Sequence, residues 1–359
     1  MPPTLLDAAP PPPSQQRPFA ADIDGLRLLI VTDAWAPQVN GVVRTLSTVS
    51  ALLRKGGDIV EVIGPDRFRT VPAPSYPEIR LALRPRAALA RMAENFAPTA
   101  VHIATEGPIG WAMRAVCRAR GWPFTTAFHT KFPDYLHARS GIPRRLAWSV
   151  LKRFHESGAG TFAATPSLRE ELARRGFTRI LPWTRGVDLD LFQPEPRNAW
   201  EGLPRPVFLY AGRLAVEKNI EAFLRLDLPG SKVVVGDGPQ RQALRSRFPA
   251  ARFAGWREGA ALAAAYAGAD VSVFPSRTDT FGLVILEAMA CGTPVAAFPV
   301  TGPLDIIGTS GAGVLDEDLG RAAMAALRCD RARCRAHAET FSWAACAEAF
   351  RRQLVPIRG

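Results

Sequence analysis

Two series of short apolar segments alternate with helical segments along the chain, and this alternation constrains the fold more than any other feature. The first series starts with the apolar run at 26–31 and the second with the run at 206–211. A stretch rich in proline and polar residues, 193–205, separates them and is typical of a linker. Because strands that alternate with helices form parallel sheets covered on both faces, we predict an α/β fold of two Rossmann-like, doubly wound domains.

The length of the chain, 359 residues, is enough for two domains of ordinary size. We place the N-terminal domain at 25–192 and the C-terminal domain at 206–340. Residues 1–24 include four consecutive prolines at 10–13, cannot bury a core, and are expected to be disordered.

A strand–loop–helix unit in the second series carries two carboxylates. An apolar run at 269–274 leads through a loop into a helix that ends at Ala290. Asp279 lies in the loop and Glu287 on the helix, eight positions later. Between them, Phe281-Gly282-Leu283 should present unpaired backbone N–H groups at the helix start, where the helix dipole also favours an anion. The two carboxylates can bind hydroxyl groups and the helix end can bind a phosphate. The unit therefore suits a ligand in which a sugar is joined to a phosphate.

Two cations flank the first strand-to-helix turn of the second series. Arg213 and Lys218 follow the apolar run at 206–211. A guanidinium and an ammonium group placed there can neutralise a diphosphate. The alternative is a structural ion pair.

The carboxyl ends of two predicted N-terminal strands carry Glu106 and His129. Ligands of open parallel sheets gather at these ends, so we expect both side chains at a binding site. The first loop, at 32–44, lacks G-x-G-x-x-G, which disfavours a nicotinamide oxidoreductase.

The segment 275–290 resembles the Glu-x7-Glu signature of the retaining nucleotide-sugar glycosyltransferases of family 4, which have the GT-B fold. Asp279 stands where that signature has its first Glu. The segments 38–45, 105–108 and 129–130 are similar to the family's bacterial GDP-mannose-dependent α-mannosyltransferases and diacylglycerol glycosyltransferases. The resemblance covers nearly the whole chain.

The resemblance implies two domains that face each other across a cleft, with a last helix within 343–359 that crosses back onto the N-terminal domain. It implies catalytic roles for His129, Asp279, Arg213 and Lys218. The donor-binding residues that it implies are Gly41, Glu106, Arg213, Lys218, Gly236, Trp256, Asp279, Phe281, Gly282, Leu283 and Glu287. Among these, Gly41 lets the backbone approach the donor phosphate, Trp256 lies where the base binds, and Glu287 binds the ribose.

The activity so implied is the transfer of a mannose- or glucose-type hexose, with retention, from a GDP- or UDP-sugar to a lipid or glycan acceptor. A GT-B protein that is not a transferase, such as a nucleotide-sugar epimerase or a phosphorylase, is the alternative. A non-catalytic nucleotide-binding protein is a third reading, since Asp279 departs from the signature. We expect no cofactor and no metal, because no Asp-x-Asp motif stands at a strand end and Cys329, Cys334 and His337 lack a fourth ligand at zinc-like spacing.

Charge and composition bear on the location of the protein. The net charge is +12, and residues 1–200 hold 26 Lys and Arg against 17 Asp and Glu. This excess suggests an anionic partner, and we expect a membrane surface rather than nucleic acid because no segment resembles a nucleic-acid-binding module. The predicted helix at 142–155 has basic residues among Trp and Phe, which suits either an interfacial membrane helix or a core helix with a basic outer face. Without a signal sequence or a transmembrane run, we expect a cytoplasmic protein, peripheral on the inner face of the plasma membrane.

Overall fold

The computed structural model describes residues 25–38, 40–73, 76–131 and 143–357. The prediction of a disordered 1–24 therefore lies outside the described residues. Two separate parallel sheets of six strands each form the centres of two α/β domains, which confirms the predicted fold class.

The sheet of the N-terminal domain has the strand order β2-β1-β5-β6-β7-β8, and every neighbouring pair is parallel. Its strands are β1 (Arg27–Val31), β2 (Ile59–Ile63), β5 (Ala100–Ile103), β6 (Thr125–Phe128), β7 (Gly160–Ala163) and β8 (Ile180–Pro182). Its helices are α1 (Gly41–Lys55), α2 (Arg86–Phe96), α3 (Pro108–Arg120), α4 (Arg144–His155) and α5 (Pro166–Arg174). An antiparallel hairpin, β3 (Thr70–Ala73) and β4 (Tyr76–Ala82), lies outside this sheet.

The sheet of the C-terminal domain has the order β11-β10-β9-β12-β13-β14, again entirely parallel. Its strands are β9 (Val207–Ala211), β10 (Ser231–Val235), β11 (Arg252–Gly255), β12 (Val271–Phe274), β13 (Val295–Ala297) and β14 (Gly313–Leu315). Its helices are α6 (Ile220–Leu224), α7 (Arg241–Arg247), α8 (Gly259–Gly268), α9 (Leu283–Ala290), α10 (Pro303–Ile306), α11 (Leu319–Ala326) and α12 (Arg331–Ala338).

In each sheet the strand order reverses at one place, between β1 and β5 in the first and between β9 and β12 in the second. The loops after these strands diverge to opposite faces of the sheet and leave a crevice, which is where open α/β sheets bind ligands. The loops that carry Arg213 and Asp279 follow β9 and β12. The fold therefore places Arg213 and Asp279, two of the predicted donor-binding residues, at the reversal point of the second sheet.

The last helix, α13 (Trp343–Arg352), packs on the N-terminal domain. The indole Nε1 of Trp183 donates to the carbonyl oxygen of Cys346 at 3.2 Å, and Arg351 forms an ion pair with Asp58 at 2.9 Å. Beyond the helix, the amide of Ile357 donates to the carbonyl of Thr99 at 2.7 Å. The C-terminal segment thus returns to the first sheet.

Helix α4 bears on the two readings of the segment 142–155 that the sequence leaves open. Trp148 and Phe154 are buried in the domain core and are not available to enter a membrane. Leu146 and Val150 are the apolar residues that this helix exposes, at 60% and 45%. The aromatic residues therefore favour the reading as a core helix with a basic outer face. No helix within the described ranges is long and apolar enough to span a membrane.

Candidate active site

Lys218 and Asp279 form an ion pair at the reversal point of the second sheet. Lys218 ends a short 3-10 turn, Val216–Lys218, that follows β9, and Asp279 lies in the loop between β12 and α9. The lysine donates to Oδ1 of the aspartate, and within the described chain the buried Oδ2 has no hydrogen-bond partner. Arg213 is half-buried between β9 and that turn. The segment after β9 thus carries both cations, and Lys218 is paired with a carboxylate whose second oxygen is left for a ligand.

Helix α9 begins beside this pair without a capping side chain. Gly282 precedes it with φ of +101°, a conformation that other residues adopt only with strain. Phe281 is buried and fixes the loop in the domain core. A side chain on Gly41, the first residue of α1, would reach to 3.6 Å from Leu283, so α1 and α9 begin opposite each other across the cleft. The N-terminus of α9 therefore faces the other domain, with a dipole that favours an anion.

Glu287 lies in the second turn of α9 and is buried. Its Oε1 pairs with the guanidinium of Arg44 from α1, and its Oε2 accepts a hydrogen bond from the hydroxyl of Tyr266 at 3.2 Å. Burial raises the pKa of the Glu287 carboxyl, and the charge of Arg44 and the hydrogen bond from Tyr266 oppose that rise. The same environment raises the pKa of Tyr266 well above its usual value, because burial and the neighbouring carboxylate both disfavour a phenolate.

His129 follows β6 and meets the loop of Asp279 from the opposite domain. Its carbonyl oxygen accepts a hydrogen bond from the hydroxyl of Thr280 at 2.6 Å, and its Nδ1 lies 3.3 Å from Nη2 of Arg185. Its Nε2 is buried and has no hydrogen-bond partner in the parts of the chain that the structure describes. Burial, and secondly the charge of Arg185, hold the pKa of His129 well below its usual range, so the ring is neutral at physiological pH.

Further contacts close the cleft between the domains. The ammonium group of Lys131 donates to the Thr301 hydroxyl at 3.1 Å, and the amide of Ser167 donates to the carboxylate of Asp305 at 3.0 Å. With the Thr280–His129 bond, these contacts join the carboxyl-end side of the first sheet to the loop after β12, the loop after β13 and helix α10 of the second domain. The site is therefore assembled from both domains.

Glu106, one of the predicted donor-binding residues, is paired with a histidine in the structure. Its Oε1 lies 3.0 Å from Nε2 of His155, whose Nδ1 lies 2.8 Å from the Thr126 hydroxyl. The sequence marks Glu106 for donor binding, whereas the structure joins it to His155 and Thr126 in one chain of polar groups at the end of the first sheet. The donor-binding role of Glu106 stays a prediction.

Gly236 and Trp256 lie at the ends of β10 and β11. Gly236 has φ of +136°, and a side chain there would approach the carbonyl oxygen of Gly212 to 1.9 Å, so only glycine fits. Trp256 follows the outermost strand of the sheet, and 48% of it is exposed. The expected contact of Trp256 with a base stays a prediction.

Sequence reasoning missed four residues of the site: Arg44, Arg185, Tyr266 and Thr280. Arg44 and Glu287 are separated by 243 positions, so no local pattern relates them. The position of Arg44 in the first turn after Gly41 is a signal that could have drawn attention to it, since that turn faces the donor loop. Among the described residues no group of three His, Cys, Asp or Glu side chains is placed to hold a metal ion.

Chemically, the site offers a helix terminus and cations for a diphosphate, carboxylates for hydroxyl groups, and a neutral imidazole. Two family models match the chain: "Glycosyltransferase Family 4" over residues 39–191 and "Glycosyl transferases group 1" over residues 205–329. Each match contains the greater part of one of the two sheets.

Among curated proteins, the chain is similar to the GDP-mannose-dependent alpha-mannosyltransferase of Mycobacterium tuberculosis, with 34% identity over 81% of this chain and 84% of the relative. It is also similar to a sulfoquinovosyl transferase of Arabidopsis thaliana, with 29% identity over 75% of this chain and 58% of that protein. Among solved structures, sucrose-phosphate synthase from Thermosynechococcus elongatus superposes with a TM-score of 0.71 at 22% identity, over 90% of this chain and 97% of that chain.

The structural match shows the two-domain GT-B fold, and the curated match extends over most of both chains at an identity that establishes kinship. The chain belongs to glycosyltransferase family 4 and is a hexosyltransferase of the GT-B fold.

Proposed function

We propose that the protein transfers mannose from GDP-mannose to a lipid or glycan acceptor with retention of the anomeric configuration. The similarity to GDP-mannose-dependent relatives supports the donor. The observation that carries the proposal is the meeting of Lys218, Asp279, Glu287 and the start of α9 at one reversal point of the sheet.

The diphosphate of the donor binds at Arg213, Lys218 and the start of α9. When the sugar–phosphate bond breaks, negative charge grows on the diphosphate, and fixed cations and backbone N–H groups that face it stabilise the transition state more than the ground state. The Lys218–Asp279 pair holds the ammonium group in place before the donor arrives.

The sugar and the ribose bind to the carboxylates. Oδ2 of Asp279, which has no partner among the described groups, accepts from hydroxyl groups of the hexose. Glu287 accepts from the ribose hydroxyls, and the donor there shares or displaces Arg44. His129 lies on the opposite wall, next to the reacting carbon.

Retention follows if the acceptor hydroxyl attacks from the face that the diphosphate leaves and gives its proton to the leaving phosphate oxygen. Closure of the two domains excludes water, which would otherwise compete with the acceptor. We expect this reaction to need neither cofactor nor metal, so transfer should continue unchanged in excess EDTA.

The acceptor binds to the N-terminal domain. The basic excess of this half suits an anionic membrane surface on the cytoplasmic side, where the exposed Leu146 and Val150 of α4, with Arg145 and Arg153 beside them on the outer face, could rest on lipid head groups.

The donor is tested first, by the shift in melting temperature with GDP-mannose, UDP-glucose and the free nucleotides, since a ligand bound by the native state alone raises apparent stability. The anomeric proton coupling in the product then reports retention or inversion. An epimerase would change the sugar without an acceptor, and a phosphorylase would need inorganic phosphate. The named relatives do not favour either alternative.

A further inference from the structure

Arg185 is a buried cation whose hydrogen-bonding groups are directed to neutral acceptors. Only 5% of it is exposed. Its Nη1 donates to the carbonyl oxygens of Trp183 at 2.7 Å and Thr184 at 2.9 Å, and its guanidinium carbon lies 4.1 Å from the centre of the Trp183 ring. These contacts fix the guanidinium relative to the backbone just after β8.

The remaining terminal nitrogen of Arg185 faces His129. Nη2 lies 3.3 Å from Nδ1 of the imidazole. A guanidinium group has N–H donors and no acceptor, so a hydrogen bond between these atoms requires a lone pair on Nδ1. Burial lowers the pKa of Arg185 to about 10, which leaves it charged at neutral pH. The neutral imidazole must then carry its proton on Nε2.

That Nε2–H is a buried donor with no acceptor among the described residues. The ring is held in place by an edge contact with Trp183, at 5.8 Å between ring centres, and by the bond from Thr280 to its carbonyl oxygen. Thr280 adjoins Asp279, so the unused donor belongs to the wall that meets the sugar-binding loop. A buried donor without a partner is costly unless a ligand supplies the acceptor.

We propose that Arg185 is a positioning residue that fixes His129 in the tautomer protonated at Nε2, so that this N–H donates to an oxygen atom of the bound hexose. The hydrogen bond to the hexose rests on the proposed function, whereas the tautomer does not. In the other tautomer, Nδ1–H would face an N–H donor of the guanidinium, and no hydrogen bond could form between them. Nε2 would then carry a lone pair and could only accept a hydrogen bond from the hexose, not donate one.

The tautomer is measured by two-bond ¹H–¹⁵N correlation spectra of the full chain labelled with ¹⁵N-histidine, at pH 7.5. His129→Asn identifies the signals of His129 among the five histidines. In the wild type we expect the pattern of an Nε2–H imidazole. An Nδ1–H or a doubly protonated ring overturns the proposal, whether or not the protein transfers a hexose.

The role of Arg185 is measured with Arg185→Met, which removes the donor, and Arg185→Lys, which keeps a donor and the charge. In Arg185→Met we expect loss of the pure Nε2–H pattern and a fall in kcat of about tenfold, with partial rescue in Arg185→Lys. If Arg185→Met fails to fold, the wild-type spectrum still tests the tautomer of His129, and Arg185→Lys still tests the positioning role of Arg185. Arg247→Met, which removes an exposed arginine paired with Glu221, should leave the His129 signals and kcat unchanged.

An unchanged tautomer together with an unchanged kcat in Arg185→Met overturns the positioning role. A wild type with the Nε2–H pattern but no transfer from any nucleotide sugar leaves the tautomer in place and removes the proposed function instead.

Discussion

Arg44 and Glu287 form an ion pair across the cleft, the guanidinium from α1 of the N-terminal domain and the carboxylate from α9 of the C-terminal domain. Glu287 is buried, and Tyr266 occupies its second oxygen. The opposite domain therefore favours the charged form of the carboxylate proposed to bind the donor ribose, against the effect of burial, which raises its pKa. This links domain closure to the state of the donor site.

We predict that Arg44→Met weakens donor binding and makes it depend on pH. Arg44 lowers the pKa of Glu287 against the effect of burial, so without it the carboxyl takes up a proton at a higher pH. Calorimetry with GDP-mannose at pH 6, 7 and 8 should show an affinity that falls towards low pH more steeply than in the wild type. Lys55→Met, on the exposed end of the same helix, is the control. Identical affinities of Arg44→Met and wild type at all three values would contradict the coupling.

Glu287→Gln should separate stability from donor binding. Burial raises the folded-state pKa of Glu287 above its usual value near 4.5, so the stability that this group contributes is present below that value and is lost as the pH rises through the folded-state pKa. At pH 7.5 the neutral glutamine should leave the empty protein at least as stable as the wild type. The difference should close as the pH falls towards 4.5.

In the same variant, GDP-mannose should bind at least about tenfold more weakly, because an ionised acceptor makes the stronger hydrogen bonds to ribose hydroxyls. Thermal melts across pH and calorimetry check the two effects. A variant that melts much lower at pH 7.5, or one that binds the donor with wild-type affinity, speaks against a buried ribose-binding carboxylate.

Asp279→Asn should lower kcat/KM by about 10–100-fold, since hydrogen bonds to a charged acceptor are worth about 1.5–3 kcal/mol. The shape of the side chain is kept, so folding should be unaffected. Asp279→Glu introduces the glutamate of the family signature, keeps a carboxylate at this position and should retain more activity than Asp279→Asn. Equal loss in both variants would mean that the position needs both the charge and the reach of an aspartate, and no loss in either would remove it from the site.

Gly236→Ala tests the close approach of the two loops that form the nucleotide side of the site. The new side chain would have φ of +136° and would meet the Gly212 carbonyl at 1.9 Å. Gly202→Ala is a matched control, because Gly202 has φ of +82° with no atom within 4 Å of an added Cβ. We expect the melting temperature to fall by roughly 4–8 °C in Gly236→Ala and by about half as much in Gly202→Ala. Equal falls would show that the loops are not in close contact.

Many of the strands could be predicted from the sequence, because they are short apolar runs between glycines, prolines or polar residues, whereas β11 has the sequence RFAG and shows no such run. The run at 26–31 became β1 and the run at 206–211 became β9. The region 66–91 could not be assigned, because its prolines and arginines hide the hairpin β3–β4 and the start of α2. That hairpin is held by pairing between strands rather than by an alternating apolar pattern.

The residues of the donor loop could be predicted because Asp279, the helix start and Glu287 are close in sequence. On the opposite wall His129 was predicted, but the contacts of that wall could not be, because they join distant positions. Arg44 meets Glu287, Arg185 meets His129, and Thr280 meets the His129 carbonyl only after both sheets have formed. Glu106 follows β5, as the sequence predicted, but its partner His155 lies 49 positions later at the end of α4, so no local pattern relates them.

The most direct measurement is the transfer of radiolabelled mannose from GDP-mannose into lipid-soluble and glycan fractions by the wild type and by Lys218→Ala. Lys218 is paired with Asp279 at the proposed diphosphate site, and removal of one group that stabilises transition-state charge costs about 10²–10³ in rate. We predict label transfer by the wild type, at least about a hundredfold less by a folded Lys218→Ala, and wild-type rates in Lys55→Ala. Wild-type transfer by Lys218→Ala, or no transfer by the wild type from GDP-mannose or any UDP-sugar, would contradict a nucleotide-sugar transferase that works through this cleft.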